Sequence, residues 1–259
     1  MSLIVFAFAI AGCSGDDNGI ANEVTQTPVL IKKITEVIYS NGSQTSTIDF
    51  SYENSKLMSS TTTYSGVAPV YKTDFIYNGD KIDYLISYTD NVERSRNTYI
   101  YDNDNLIKII SNRVDQSQIK YSYTNRTLSS SESGYLMNDI YTVSGTKNFT
   151  FASGNLIEEQ NYSSDFGTPV TSKTIYTFDE KNNPTKYMNK YLRYVFGTEG
   201  FSGMNKNNVL TRLSYYPSTT STPSLFTYQM VYDANDFPTE IKQFSPEGTI
   251  ISLTTIEYQ

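Results

Sequence analysis

Along most of this chain, apolar and polar residues alternate with a period of two. In Ile48-Asp49-Phe50-Ser51-Tyr52 the alternation puts Ile48, Phe50 and Tyr52 on one face and Asp49 and Ser51 on the other, as expected of a half-buried β-strand. The pattern then recurs as an aromatic-x-aromatic pair, a polar turn, and an apolar residue five positions after the second aromatic. Clear copies are Phe50-Ser51-Tyr52 with Leu57, Phe75-Ile76-Tyr77 with Ile82, and Tyr99-Ile100-Tyr101 with Leu106. Tyr121-Ser122-Tyr123 with Leu128 and Phe149-Thr150-Phe151 with Leu156 follow. Later copies are Tyr176-Thr177-Phe178, Met230-Val231-Tyr232 with Phe237, and the terminal Ile256-Glu257-Tyr258.

The second aromatic falls at 52, 77, 101, 123, 151, 178, 232 and 258, so the spacings are 25, 24, 22, 28, 27, 54 and 26. Since 54 is twice 27, one copy near residue 205 is expected to be degenerate or replaced by an insertion. The stretch 191–208, with Gly197, Gly200 and Gly203, reads as a long loop. Its end, Lys206-Asn207-Asn208-Val209, echoes Lys181-Asn182-Asn183-Pro184.

The segments after each aromatic pair, such as Glu53-Asn54-Ser55, Asn78-Gly79-Asp80, Asp102-Asn103-Asp104-Asn105 and Asp233-Ala234-Asn235-Asp236, are built from residues that tolerate left-handed backbone or bond to their own chain. Each repeat therefore predicts a β-hairpin of about 25 residues, the first beginning near Leu30 and turning at Asn41-Gly42. One hairpin cannot bury its aromatic face, so consecutive hairpins must pair into one antiparallel sheet. Roughly fourteen to eighteen twisted strands rarely stay flat. The expected fold is all-β, with consecutive antiparallel β-hairpins forming one large curled sheet or open barrel. No segment predicts a convincing helix; the longest candidate, 180–194, is interrupted by Pro184.

Composition agrees with this pattern. Hydrophobic residues reach only 38%, but 23 Tyr and 13 Phe supply large rings without any Trp. Tyr suits a thin sheet core because its ring is buried while its hydroxyl stays wet or finds a partner. A net charge of -7 and the lack of a basic stripe exclude phosphate-driven nucleic-acid binding. With no His, the chain cannot build a Ser-His-Asp triad or a His-ligated zinc site, and no cofactor or metal is expected. The single Cys, Cys13, leaves the remainder without disulfides or thiol chemistry.

Residues 3–11 (LIVFAFAIA) form an apolar run too short to span a bilayer as a helix but matching the core of an export signal. It ends in Ile10-Ala11-Gly12-Cys13, which resembles the lipobox of bacterial lipoproteins. That resemblance implies diacylglyceryl transfer to the Cys13 sulfur, cleavage before Cys13, and acylation of the new amine. Two or more acyl chains anchor stably. Only Met1-Ser2 precede the run, without the Lys or Arg that such signals normally open with, so the natural start is expected upstream. Ser14-Gly15-Asp16-Asp17-Asn18-Gly19 reads either as a solvated tether or as an acidic stretch resembling the surface-export signal of some Gram-negative lipoproteins. The expected organisation is a signal peptide over 1–12, lipidated Cys13 and a tether over 13–28, and a repeat domain over 29–259.

The units Tyr232-Asp233-Ala234-Asn235-Asp236-Phe237-Pro238-Thr239-Glu240-Ile241 and Tyr101-Asp102-Asn103-Asp104-Asn105-Leu106-Ile107-Lys108-Ile109 resemble YD repeats, the Tyr-Asp hairpins of Rhs-type and teneurin shells. The whole pattern is similar to short Gram-negative lipoproteins of unknown function in which degenerate YD-like hairpins follow a lipobox. The likeness covers most of residues 30–259 and implies architecture more than activity.

Asp102 and Asp104 could in principle bind calcium, but hairpin turns use the same residues to satisfy their backbone. The adjacent pairs Glu158-Glu159 and Asp179-Glu180 would point to opposite faces of a strand. Tyr84, Tyr88, Tyr99, Tyr187, Tyr191, Tyr194, Tyr215 and Tyr216 exceed what one sheet face needs. They read as cross-strand ladders or as platforms for sugars and peptides. A ligand site is expected in the insertion, at Tyr191, Tyr194, Phe196 and Phe201. The function these features predict is that of a non-enzymatic binding or scaffolding lipoprotein at the outer membrane, facing the cell surface or the periplasm. Its partners would be the membrane itself and an outer-membrane protein or a glycan. A carboxylate-dependent polysaccharide hydrolase is the alternative.

Overall fold

Each repeat folds as the hairpin its pattern predicts, and a bulge recurs at the same place in each. The computed structural model describes residues 28–39, 42–113, 116–163, 170–194, 196–198, 200–216 and 222–259, so Cys13 and most of the tether lie outside the described residues. The strands are β1 (Ile31–Ile38), β2 (Gln44–Glu53), β3 (Lys56–Tyr64), β4 (Val67–Asn78), β5 (Lys81–Thr89) and β6 (Val92–Asp102). They continue as β7 (Asn105–Ser111), β8 (Gln118–Thr124), β9 (Thr127–Met137), β10 (Ile140–Ala152), β11 (Asn155–Ser163) and β12 (Val170–Phe178). After a ribbon of β13 (Gly197–Thr198) and β14 (Phe201–Ser202) come β15 (Val209–Tyr215), β16 (Ser224–Tyr232), β17 (Pro238–Phe244) and β18 (Ile250–Tyr258).

Every strand of the main sheet pairs antiparallel with its chain neighbours, and β1 pairs with both β2 and β18. A curled sheet or an open barrel would leave two free edges. Here the edges meet, and 16 strands form a closed barrel. Closure removes the unpaired backbone that an edge would expose.

The second aromatic of each repeat sits at a register shift. Tyr52 faces Leu57, Tyr77 faces Ile82, Tyr101 faces Leu106, Tyr123 faces Leu128 and Phe151 faces Leu156, each beside a bulge. Phe178 faces Val209, Tyr232 faces Pro238 and Tyr258 faces Ile31 in the same way. A bulge inserts one residue on the return strand, which bends the pair and raises its twist. The five-residue spacing follows from the two-residue turn itself: Glu53 pairs with Lys56, so Tyr52 and Leu57 face each other on the inner side, and the bulge comes immediately after. The turns are tight: Asn54-Ser55, Asn125-Arg126 and Ser153-Gly154 all have positive φ at both central positions, the geometry that matches strand twist.

In three repeats the second aromatic is a Tyr whose hydroxyl reaches the neighbouring hairpin. The Tyr77 hydroxyl donates to the Leu57 carbonyl at 2.8 Å, Tyr123 to Leu106 at 2.8 Å, and Tyr258 to Pro238 at 2.7 Å. Each bond ties one repeat to the carbonyl of the preceding repeat's return strand. At the rim, Lys56 donates to the Gly79 carbonyl and pairs with Asp80 at 2.9 Å. Lys81 likewise reaches the Asn103 carbonyl of the next turn.

The two faces of the wall differ sharply. Inward positions near the turns 53–56, 78–81 and 102–105 hold the core residues Phe50, Leu57, Phe75, Ile82, Tyr99 and Leu106. Further along the strands the inner face becomes polar; one cross-strand row runs from Phe50 through Ser60, Thr73 and Ser87 to Ser95. Outward positions, which alternate with the core, carry charges in mid-strand. Lys72 pairs with Asp74 at 2.9 Å, Lys120 with Glu132 at 3.1 Å, Lys173 with Glu158 at 2.8 Å and Lys242 with Glu240 at 2.8 Å. Arg96 lies 4.9 Å over the Tyr84 ring and Lys120 lies 3.6 Å over Tyr141. Tyr84 and Tyr88 therefore belong to outer cross-strand ladders, with Lys72 above Tyr88 at 5.8 Å.

Candidate functional site

Residues 179–208 stand between Phe178 and Val209, where the sixth hairpin would have its turn. The doubled spacing thus marks an enlarged turn and not a missing hairpin: the eight aromatic markers account for all 16 strands of the barrel. The echoed Asn segments form the base of this insertion. Asn207 donates to the Lys181 carbonyl at 2.8 Å, Asn208 to the Asn182 carbonyl at 3.1 Å, and Asn183 to the Asn207 carbonyl at 3.2 Å. Asp179 caps this stem by accepting from the Asn208 backbone and side chain, both at 3.0 Å, and from the Tyr232 hydroxyl. Burial and the neighbouring Asp179 push the Tyr232 hydroxyl pKa up.

From the stem the insertion enters the lumen and plugs one end. Met188, Tyr191, Leu192 and Phe201 join a single core cluster with wall residues from around the ring, including Ile34, Phe75, Tyr99, Tyr228 and Ile256. A 3-10 turn, Lys190–Tyr194, is all that forms of the helix candidate over 180–194. Asn189 donates to the Asp80 carbonyl at 2.7 Å. Asp104, on the rim, accepts from Lys190 at 3.3 Å and from the Tyr191 hydroxyl at 3.2 Å, and faces Lys81 at 3.6 Å. These partners hold its carboxyl below the usual carboxylate range, Lys190 most of all. Across the lumen, Asn205 accepts from the Leu156 backbone at 2.8 Å, and Asn155 accepts from Lys206 and Asn207, both at 2.9 Å.

The structure brings the sequence-derived site residues together as anchors of this plug. Tyr191 packs edge-on against Tyr101 at 4.9 Å and Phe196 edge-on against Phe50 at 5.4 Å, while Tyr194 lies tilted against Tyr121 at 5.2 Å and Phe196 tilted against Phe201 at 6.3 Å. The Tyr194 and Tyr123 hydroxyls hydrogen-bond at 3.0 Å, with Tyr123 accepting because its own proton goes to the Leu106 carbonyl. Tyr191 and Phe201 are buried, and Tyr194 and Phe196 half-buried. Their faces are largely taken up by the wall, an arrangement that the excess of aromatics did not separate from a ligand platform.

Above the plug, against the wall formed by β11, β12, β15 and β16, lies a cavity of about 210 Å3. Phe201 and Asn205 of the plug form its floor, and Glu159, Tyr176, Arg212 and Tyr228 line its wall. Tyr176, Arg212 and Phe226 form one cross-strand row, with the guanidinium 4.4 Å from the Phe226 ring centroid. Glu159 pairs with Lys147 at 3.0 Å. Behind Tyr228, the buried Gln243 donates to the Tyr228 hydroxyl at 3.4 Å and accepts from Ser252 at 3.1 Å. Sequence reasoning missed Arg212, Tyr176 and Tyr228 as site residues. Only the cross-strand pairing places Arg212 between Tyr176 and Phe226, so no local signal could have found it.

A second cavity, of about 310 Å3, lies within the insertion between Glu180, Lys186, Asn205 and Lys206. Three more open hollows, of about 660, 240 and 430 Å3, lie along the rim and outer turns. Among these five cavities, none has more than one carboxylate in its lining, whereas general acid–base hydrolysis of a glycoside uses two. No group of three or more potential metal ligands occurs among the described residues.

No protein-family model and no curated protein matches the chain. Solved structures do. A porin-like protein from Bacteroides uniformis superposes with a TM-score of 0.60 at 14% identity, over 88% of this chain and 97% of that one. A porin-like protein from Bacteroides vulgatus gives 0.54 at 14% identity, over 90% and 99%. At this level of identity, the likeness establishes a shared barrel fold.

Proposed function

We propose that this protein is an outer-membrane lipoprotein, tethered through Cys13, whose barrel stands in water as a non-enzymatic binding module built from YD-like hairpins. The observation that carries this reading is the outer wall. Its mid-strand positions hold Lys72, Asp74, Arg96, Lys120, Glu132, Glu158, Lys173, Glu240 and Lys242. A membrane-spanning barrel needs an apolar outer band, and each Lys or Arg at the bilayer midplane costs roughly 2–4 kcal/mol. No helix among the described residues is long and apolar enough to cross a membrane. Attachment then falls to the apolar leader and the lipobox-like Ile10-Ala11-Gly12-Cys13. The acidic Asp16-Asp17 favours the cell surface over the periplasm. Inside, hydroxyl-bearing side chains and a plugged lumen suit retention of a polar partner, such as a glycan, better than free passage.

The test is fractionation of cells expressing the wild type and Cys13→Ala. Wild-type protein should sediment with membranes and be extracted only by detergent, while Cys13→Ala should be recovered soluble and folded. Membrane retention of Cys13→Ala after carbonate washing would mean that the wall itself inserts, and the proposal would fall.

A further inference from the structure

We infer that the rim opposite the plug docks on the surface of a lipid bilayer, seating the open mouth of the barrel against the membrane while the wall stays in water. The inference rests on reading the chain as a lipoprotein and adds the posture of its barrel. It starts from an asymmetry between the two ends. At the plugged end the pairs that flank the tight turns are polar or small: Glu53 with Lys56, Asn78 with Lys81, Asp102 with Asn105, Thr124 with Thr127 and Ala152 with Asn155. At the open end, turns of the same length carry apolar residues instead. Tyr64 and Val67 flank Ser65-Gly66, Val92 follows Asp90-Asn91, and Met137 and Ile140 flank Asn138-Asp139. Val67 and Val92 are each 52% exposed, Met137 62% and Ile140 68%. The plugged end shows that a tight turn has no need of apolar flanks, so those of the open rim call for a partner that is itself apolar.

The β9–β10 hairpin carries this surface outward. Pairing with β8 stops at Gly134 and pairing with β11 at Gly145, while β9 and β10 stay paired as far as Met137 and Ile140. A Cβ at Gly134 would lie 2.7 Å from the Tyr141 hydroxyl, so the Tyr141 side chain braces the base of this arm. Exposed charges of the described rim are of both signs: Arg94 and Arg113 beside Asp90, Asp139 and Glu247, with Glu93 paired to Arg96 at 3.5 Å. Such a rim suits burial between headgroups and acyl chains and gains nothing from anionic lipid. The anchor allows the posture. β1 starts at the plugged end, where Ile31 faces Tyr258. The chain from Cys13 to Leu30 extends to roughly 55 Å at about 3.3 Å per residue. The 13 residues of β10 span only roughly 43 Å along the wall. Acyl chains on Cys13 therefore reach the level of the open rim. They hold beside the bilayer a surface too small to bind one durably by itself.

The experiment uses the full lipidated chain reconstituted into phosphatidylcholine vesicles and exploits the absence of Trp from the sequence. Ile140→Trp reports the open rim. Val231→Trp, at a 54% exposed site next to the plugged end, is the control. Ile140→Trp emission should shift to the blue and be quenched by bromine-labelled acyl chains, while Val231→Trp stays unquenched. Adding Met137→Asn to Ile140→Trp should remove most of the quenching, with far-UV circular dichroism confirming the fold. An equal mixture of phosphatidylcholine and phosphatidylglycerol should give the same result. An unquenched Ile140→Trp overturns the inference, as does quenching that Met137→Asn leaves unchanged. Quenching of both probes overturns it too, because the wall and not the rim would then meet lipid. So does quenching confined to the anionic mixture, or a blue shift that follows protein density without quenching, the mark of a second copy covering the rim. A chain that fails to float with the vesicles contradicts the lipoprotein reading itself, which separates that failure from a rim that stays in water.

Discussion

Tyr258, one residue from the end of the sequence, faces Ile31 in the same bulged register in which Tyr52 faces Leu57. The eighth hairpin is therefore assembled from the two extremes of the repeat domain. Leu30 and Gln259 complete it by exchanging backbone hydrogen bonds at 3.2 and 2.9 Å. A chain permuted to join Gln259 to Leu30 through Asn-Gly, with new ends between Asn138 and Asp139, should fold to the same far-UV spectrum and melt cooperatively. Insoluble or non-cooperative material would contradict the split-hairpin closure. Ile31→Ala, at a fully buried site, should cost about 2–5 kcal/mol in urea denaturation.

The plug fits closely against the wall at Gly200. A Cβ there would lie 2.7 Å from Ile241 Cγ2 and 3.4 Å from Tyr228 Cδ1, and the residue has a φ of +90°. Gly248 also has a left-handed φ, +80°, with nothing within 4 Å of its Cβ position. Gly248→Ala should therefore lose only the backbone term, about 1–2 kcal/mol. Gly200→Ala should lose that and an overpacking term of about 1–3 kcal/mol. Equal losses in chemical denaturation would show that the plug yields freely at this contact.

Asp104 links the plug to the rim through Lys190 and Tyr191, and these partners depress its pKa. A depressed carboxylate pKa adds stability that is present above the unfolded value, about 4, and is lost as pH falls through the folded value. Asp104→Asn should be less stable than wild type at neutral pH, and the gap should close in acid below that value. The residue is exposed, so the gap should be small. Urea midpoints measured from pH 2 to 7 check both the sign and the window.

Tyrosine sets the opposite limit. Burial pushes Tyr77 and Tyr121 up to about 12. Because the neutral form is the one held in the fold, this contribution is intact below the unfolded value near 10 and disappears as pH rises through about 12. The barrel should lose its far-UV signal within that alkaline interval, together with a late rise in tyrosinate absorbance. A complete tyrosinate rise near pH 10 with the sheet intact would show that the inward hydroxyls are solvated.

The repeat was legible because each hairpin solves the same local problem. Period-two alternation, αL-tolerant turn residues and the five-residue spacing from Tyr52 to Leu57 all act within about ten residues. The role of the insertion was less legible. Tyr191, Tyr194, Phe196 and Phe201 were identifiable as a group breaking the repeat. Whether their rings face a ligand or Tyr101, Tyr121 and Phe50 depends on contacts 73 to 146 positions away, which no local pattern encodes. Arg212 and Tyr228 were hidden for the same reason.

An all-β chain of consecutive hairpins, its inner and outer faces, and the apolar run before Cys13 could be read from the amino-acid sequence, because these follow from side-chain chemistry and short-range backbone preference. Only the three-dimensional arrangement shows that the sheet closes, that Ile31 supplies the return strand for Tyr258, and that Met188, Tyr191, Leu192 and Phe201 of the insertion fill the lumen. Closure depends on twist and bulges summed over 16 strands until the first meets the last. A quantity accumulated around a whole ring is not written in any one of its hairpins.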